Sequence, residues 1–251
     1  MKRAYGWLSQ LPDHRDLQYV SAGAPMPAAV APLTANIPAY DQGQLGSCTG
    51  NGCARLFEHR LHAEGRALLI PSRLFIYYNE RALEGTINSD SGAQVRDGLK
   101  VLAKFGAPPE TDWPYNIGKF KLKPPAQAYA DALKDQALQY HAVKLALADI
   151  KQALADGNPV VGGFNVYESF ESARVAQTGL MPLPGAKEAV LGGHCVLWDG
   201  YDDASQTFWC ANSWGQAWGC APAAGKARGW FKMPYANIKY CSDFWVLLKV
   251  A

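Results

Sequence analysis

Residues 40–63 read YDQGQLGSCTGNGCARLFEHRLHA, and this stretch decides how the first half of the chain folds. Its second part carries apolar residues three and four positions apart, the spacing of one helix face. These residues are Cys53, Leu56, Phe57 and Leu61. Because the glycine-rich run before Cys48 favours a turn, the pattern predicts a helix that begins at Cys48. Gly50 and Gly52 each cost that helix about 1 kcal/mol relative to alanine, which indicates that another backbone or a substrate approaches closely there.

Two further helices are predicted downstream. In PSRLFIYYNERALEG (71–85), Ser72 can cap the start of a helix and Gly85 can end it. The segment SGAQVRDGLKVLAKFG (91–106) predicts another helix, ending at its final glycine. The first part of the chain is therefore expected to be mainly helical.

The second part of the chain changes period. Residues 130–140 and 146–157 still have alanine and leucine at helical spacing. Five short runs rich in Val, Phe, Trp and Tyr then follow, as in the strands of a small sheet or barrel. They are PVVGGFNVY (159–167), HCVLWDGYD (194–202), QTFWCANSW (206–214), GWFKM (229–233) and FWVLLKV (244–250). A helical lobe followed by a β lobe predicts an α+β protein with a cleft between the lobes.

The N-terminal part divides into two pieces. Residues 21–38 contain four prolines and no charged residue, which predicts an extended strap. Residues 1–20 carry enough apolar surface to dock elsewhere on the protein, through Trp7, Leu8, Leu11, Leu17 and Tyr19. They are either a loose arm or a cover over the cleft. We therefore divide the chain into an N-terminal arm and strap (1–38), a helical lobe (39–125) and a β-rich lobe (126–251).

Composition excludes several classes of protein. The chain has 251 residues, 49% of them hydrophobic and 18% charged, so it can bury a sizeable core. A net charge of +2 is too balanced for nucleic-acid binding by phosphate neutralisation. We find no apolar run of about 20 residues for a membrane helix and no secretory signal at the start. We therefore expect a monomer without nucleic-acid or membrane partners, cytoplasmic by default.

The cysteines and histidines do not predict a metal site or another cofactor. The six cysteines form no C-x-x-C pair, and EHRLH (58–62) is not a zinc-binding H-E-x-x-H helix. Cys210, Cys220 and Cys241 all fall in the predicted β lobe, so we expect at most one disulfide among them. Cys195 follows His194 on a strand, and alternation directs it into the core.

Three residues are candidates for chemistry by their placement. Cys48 opens a predicted helix, where the positive end of the helix dipole favours a thiolate. His194 begins a strand, where an isolated histidine is usually structural. Asn212 lies in a tryptophan-rich turn that it could merely cap. None of the three is decisive alone.

Together with one glutamine they form a pattern. Gln42, Cys48, His194 and Asn212 occur in an order, and in contexts, that resemble the papain-like cysteine peptidases. DQGQLGSCT (41–49) resembles the glutamine-to-cysteine turn of a bacterial-type branch of that family. GGHCVLWDGYD (192–202) resembles its histidine strand and NSWGQAWG (212–219) its asparagine–tryptophan motif. With PETDWPY (109–115) and GWFKM (229–233), the resemblance covers about residues 40–250.

The resemblance implies a two-lobe papain-like fold with a helical lobe, a β-barrel-like lobe and the active site between them. It implies a peptide or protein substrate, a Cys48 thiolate whose pKa is depressed by the His194 imidazolium, and Asn212 orienting that imidazole. The Gln42 amide and the Cys48 backbone N–H would form the oxyanion hole. Further cleft residues implied are Trp214, which shields the His–Asn bond, and Gly46, Ser47, Gly92 and Gly193.

The sequence departs from the family pattern at three places. Leu45 replaces a cysteine that usually ties down the turn, and Thr49 replaces the usual aromatic residue after the nucleophile. The N-terminal extension of about 40 residues is shorter than the family's helical propeptides. None of these changes removes a catalytic group.

The motifs leave other functions open. The same triad serves a thiol acyltransferase or amidase, because it does not determine whether water or an amine accepts the acyl group. A catalytically silent binding module is a further alternative. We expect residues 1–38 to occupy the cleft and restrain a peptidase.

Overall fold

The structure is a computed structural model that describes residues 4–21, 23–66 and 69–251. The helices are α1 (Cys48–Ala63), α2 (Arg73–Glu84), α3 (Val95–Phe105), α4 (Ala126–Ala132), α5 (Leu147–Ala155) and α6 (Ala173–Thr178). Short 3₁₀ helices cover Ile117–Lys119, Glu168–Glu171 and Tyr235–Tyr240. The strands are β1 (Ala29–Val30), β2 (Ala137–Ala142), β3 (Val160–Tyr167), β4 (Val190–Asp202), β5 (Thr207–Ala211), β6 (Trp230–Pro234) and β7 (Cys241–Val250). The predicted α+β class is confirmed.

Local signals fix the ends of the first three helices. The Ser72 hydroxyl accepts a hydrogen bond from the Phe75 backbone N–H at 3.2 Å and caps α2, and Gly85 ends it in the left-handed conformation (φ 73°). Gly106 ends α3, as predicted. A Cβ on Gly50 of α1 would lie 2.9 Å from the Arg73 carbonyl oxygen. The close approach at Gly50 is therefore that of the α2 backbone.

The β strands form one antiparallel sheet in the order β2-β7-β3-β4-β5-β6, with β1 added beside β4. Among the described residues β2 and β6 do not pair, so the sheet is not a closed barrel. The prediction of a helix over residues 130–140 is wrong in its second half, because residues 137–142 form β2. Pairing with β7, where Tyr140 packs 5.9 Å from Trp245 between ring centroids, overrides the helical preference of alanine and leucine.

Two apolar cores flank the sheet. Helix α1 packs against β4 and β7, and its buried side chains, including Cys53 and Phe57, share one core with Trp245. The other core fills the opposite side with Phe164, Trp198 and other aromatic residues. All six cysteines are free thiols, so the possible disulfide in the β lobe is absent. Cys195 is buried in the α1 core, as its strand position predicted.

The described residues of the strap form no helix, as its prolines predicted, but residues 33–36 form a turn where an extended chain was expected, and the last part of the strap is anchored to the body. Its residues 29–30 pair with β4 as β1. Thr34, 1% exposed, donates its backbone N–H and its hydroxyl to the Asp199 carboxylate, both at 2.9 Å. The buried Arg55 guanidinium donates to the Thr34 hydroxyl and to the carbonyls of residues 34, 37 and 38. This end of the strap therefore belongs to the folded body.

Candidate active site

Cys48 lies at the N-terminus of α1, between the sheet and the N-terminal arm. Its side chain is fully buried, and burial raises the pKa of the thiol to about 12. Backbone hydrogen bonds from Cys195 and Gly6 favour the thiolate but do not offset the burial. The pKa of Cys48 is thus raised where the sequence predicted it to be depressed. The reason is tertiary: the thiol is sealed from water in this arm-covered state.

His194 and Asn212 meet across adjacent strands of the sheet. The Nε2 atom of His194 lies 2.8 Å from Asn212 Oδ1, and both residues are buried. Asn212 Oδ1 also accepts the Ser213 backbone N–H at 2.8 Å, which holds the amide in one orientation. The Trp214 ring lies 4.9 Å from the His194 ring between centroids, at 30° to it. This arrangement fixes the imidazole and keeps water from the His194–Asn212 hydrogen bond.

Gln42 is buried and its side-chain amide is held on two sides. Its Oε1 accepts the Ser213 hydroxyl at 2.6 Å, and its Nε2 donates to the Leu45 carbonyl at 2.9 Å. An amide nitrogen carries two protons. The second is directed to the backbone carbonyl of Ala4 in the arm, 3.2 Å away.

The other residues that the sequence assigned to the cleft lie near Cys48 and the arm. Gly46 donates its N–H to the Asp90 carboxylate (2.9 Å to Oδ2), and Ser47 precedes α1 with its hydroxyl 2.5 Å from the Tyr115 hydroxyl. Gly92 has φ 74°, where glycine is favoured, and its N–H donates to the Tyr77 hydroxyl at 3.1 Å. Gly193 lies at the next position along β4 before His194.

The arm passes directly over these residues. The backbone N–H of Trp7 donates to the Gly193 carbonyl at 3.0 Å, and the Gly6 carbonyl accepts the backbone N–H of Ala93 at 2.7 Å. Trp7 and Ala93 form a parallel bridge. A Cβ on Gly6 would lie 1.6 Å from the Gly46 carbonyl oxygen, so only glycine fits at this point of the arm.

The model of the papain family of cysteine proteases matches residues 33–242. The chain belongs to this family. It is a papain-like cysteine peptidase, as its motifs predicted.

Individual relatives extend the match. An uncharacterized peptidase C1-like protein of Acanthamoeba polyphaga mimivirus is 40% identical over 222 residues, which cover 84% of this chain and 69% of the viral protein. Xylellain, a cysteine protease from Xylella fastidiosa, is 37% identical with a TM-score of 0.90, covering 100% of this chain and 99% of its own. Procathepsin B of Trypanosoma congolense shares the fold at 15% identity (TM-score 0.75), covering 98% of this chain and 86% of that one.

Two observations complete the description of this papain-family chain. In the described ranges, no group of three or more His, Cys, Asp or Glu side chains is arranged to hold a metal ion. In the same ranges, no helix combines the length and apolarity that crossing a membrane requires.

Sequence reasoning missed two acidic residues that accept hydrogen bonds from the arm. Asp243, at φ 63°, accepts the Trp7 indole N–H on Oδ2 at 3.0 Å, and Glu171 accepts the Tyr5 hydroxyl. Neither lies in a recognisable motif. The left-handed backbone of a non-glycine residue such as Asp243 is a signal that only a structure provides.

Proposed function

We propose that this peptidase cleaves peptide bonds within chains through a Cys48 thiolate and a His194 imidazolium. The thiolate Sγ attacks the scissile carbonyl, and the electron pair of the C=O bond moves to oxygen. As that tetrahedral adduct collapses, the C–N bond breaks and His194 gives its proton to the leaving amine. Water, deprotonated by the same imidazole, then hydrolyses the thioester and regenerates the thiol.

The hydrogen bond between His194 Nε2 and Asn212 Oδ1 supports these roles. Because Nε2 donates to the amide oxygen, Nδ1 is the ring nitrogen that exchanges a proton with Cys48. Trp214 stacks on the imidazole and reduces competition from water for that bond. Asn212 is therefore a positioning residue.

The contact between Gln42 and Ala4 carries the proposal. A substrate oxyanion needs donors held in place before the reaction. Gln42 Nε2 is fixed through Leu45 and Ser213, and its remaining proton is directed to a peptide carbonyl of the arm. That carbonyl occupies the position that we assign to the oxyanion, with the backbone N–H of Cys48 as the second donor.

We further propose that residues 4–20 restrain the enzyme. Their contacts cover the thiol, use the Gln42 donor and fill the cleft on both sides of it. The leaving part of a substrate lies on the side of His194, where the Tyr5 ring lies 6.3 Å away between centroids. The acyl part then lies on the side of Trp7. From N-terminus to C-terminus, a substrate runs from the acyl side to the leaving side. The arm runs from Tyr5, on the leaving side, to Trp7, on the acyl side. It therefore crosses the cleft in the opposite direction and is not cut.

The test compares three proteins: the full chain, its Trp7→Ala variant and a chain that begins at Met26. The shortened chain keeps residues 27–38, which bind the body through the Pro27 and Ala28 carbonyls and through Thr34. We expect slow alkylation of Cys48 by an epoxysuccinyl inhibitor in the full chain and fast alkylation in the other two, with parallel gains in hydrolysis of a fluorogenic peptide.

The matched control is Leu11→Ala, because the Leu11 side chain belongs to the arm but is 82% exposed. It should behave as the full chain. Equal alkylation and hydrolysis rates in all four proteins would refute the restraint. Absence of labelling in all four proteins, or undiminished labelling when His194→Ala is added to the shortened chain, would refute the thiolate mechanism.

A further inference from the structure

The arm docks into the cleft through two aromatic side chains, one on each side of Cys48, and each ends on a carboxylate. Trp7 donates its indole N–H to Asp243 at 3.0 Å. Tyr5 donates its hydroxyl proton to Glu171. The two hydrogen bonds are independent of the backbone pairing that holds the arm.

The pocket of Trp7 is built for a flat side chain with a donor at its tip. Cβ atoms on Gly163 and Gly193 would lie 1.9 and 2.5 Å from the Trp7 ring, so both glycines leave room for the indole. Asp243 is half-buried beyond the ring and accepts the Gln10 backbone N–H as well at 3.0 Å. Trp7 and Gln10 of the arm donate to this carboxylate, and so does the neighbouring Ser242 side chain.

Burial raises the pKa of Asp243, and the hydrogen bonds of this carboxylate and, more weakly, the charge of Arg96 oppose that rise. In the arm-covered state the Arg96 guanidinium is engaged elsewhere, by Asp16 at 2.5 Å and the Leu11 carbonyl at 2.9 Å. A displaced arm takes Trp7 and Gln10 from Asp243. A donor from the substrate then restores the bond that Trp7 made, beside the side chains of Ser242 and of Arg96, whose partners Asp16 and Leu11 leave with the arm.

The pocket of Tyr5 lies on the leaving side. A Cβ on Gly192 would come within 2.8 Å of the Tyr5 side chain, and the ring lies 6.5 Å from that of Trp214 between centroids. Glu171 is exposed at the end of its 3₁₀ helix. A charge in water contributes less to selection than one that is half-buried.

We propose that the cleft selects peptides with a hydrogen-bond-donating side chain, preferably basic, on each side of the scissile bond, with Asp243 reading the acyl side and Glu171 the leaving side. This inference rests on the proposed function, and it names the substrate class of that site. Arginine and lysine combine a donor with a charge opposite to the carboxylate, and tryptophan reproduces the contact of the arm. Leucine offers a donor to neither carboxylate.

The test is digestion of a mixed peptide library by the full-length Tyr5→Ala/Trp7→Ala protein, with cleavage sites read by mass spectrometry. On the acyl side, one position should favour Arg, Lys and Trp over Leu by about 10- to 100-fold. On the leaving side, one position should favour Arg, Lys and Tyr over Leu by about two- to fivefold.

Two added substitutions serve as controls for each other. Asp243→Leu should abolish the acyl-side preference and leave the other intact, and Glu171→Leu should do the reverse. Cleavage without these preferences, or preferences that neither substitution changes, would overturn the inference while the peptidase mechanism stands. If no peptide is cut and Cys48 is not alkylated either in the double variant or in the chain that begins at Met26, the mechanism and the inference both fail.

Discussion

The strap gives the sharpest stability prediction, because one threonine joins it to two buried charges. The Thr34 hydroxyl donates to Asp199 at 2.9 Å and accepts from Arg55 Nε at 2.9 Å, and all three residues are at most 2% exposed. Thr34→Val keeps the shape of the side chain and removes both hydrogen bonds. Each bond to a charged group contributes about 1.5 kcal/mol or more, so the free energy of unfolding should fall by about 3 kcal/mol.

Urea titration followed by fluorescence of the eight tryptophans measures this change. In a thermal melt the same loss lowers Tm by about 6–12 °C for a chain of this size. Thr111→Val is the control, since Thr111 is exposed and its hydroxyl bonds only to the neighbouring Asp112. A Thr34→Val protein within about 0.5 kcal/mol of the parent would refute the view that the strap belongs to the folded body.

Three further outcomes are expected. Gln42→Ala in an arm-released protein should lower kcat by about 10²–10³ with an intact fold, because one oxyanion donor is lost; a loss below threefold would contradict its role. The rate of Cys48 alkylation in the full chain should rise with pH up to about 12, because burial raises the pKa of this thiol to about 12. In Trp7→Ala the rate should reach its plateau at a lower pH. Superimposable pH profiles would argue against the arm as the cause of the raised pKa. Burial raises the pKa of Glu84 from 4.5 to about 7, so its contribution to stability is present below pH 4.5 and is lost as pH rises through 7. The drop in Tm between pH 4.5 and pH 7.5 should therefore be smaller in Glu84→Gln than in the parent. Equal drops in Tm would exclude Glu84 as the source.

Sequence succeeded where the deciding interaction is local or carried by a motif. Helix α2 was predicted with both ends because Ser72 and Gly85 act within one turn of it. The family motifs correctly indicated a papain-like peptidase. Strand β2 was missed because its partner, β7, is about 100 residues away and its own residues favour a helix.

The properties of the site that sequence could not supply come from contacts between distant segments. Placement at a helix start predicts an activated Cys48, but burial raises the pKa of its thiol, and the backbone of Gly6, 42 residues earlier in the chain, lies against it. Nothing in the local sequence CSDF around Asp243 shows that it faces Trp7, 236 residues away. Sequence also left open whether residues 1–20 are a loose arm or a cover, because apolar content does not reveal where a segment docks.

In the restraint that we propose, the arm has two separable effects on Cys48. It excludes substrate sterically, and it withdraws the thiol from water, which raises its pKa and leaves a negligible thiolate fraction at neutral pH. Steric exclusion of the substrate would persist even if the Cys48 thiol were always ionised, whereas suppression of the thiolate would not. Because desolvation ends when Gly6 and its neighbours leave, exposure and ionisation of the nucleophile occur in one step.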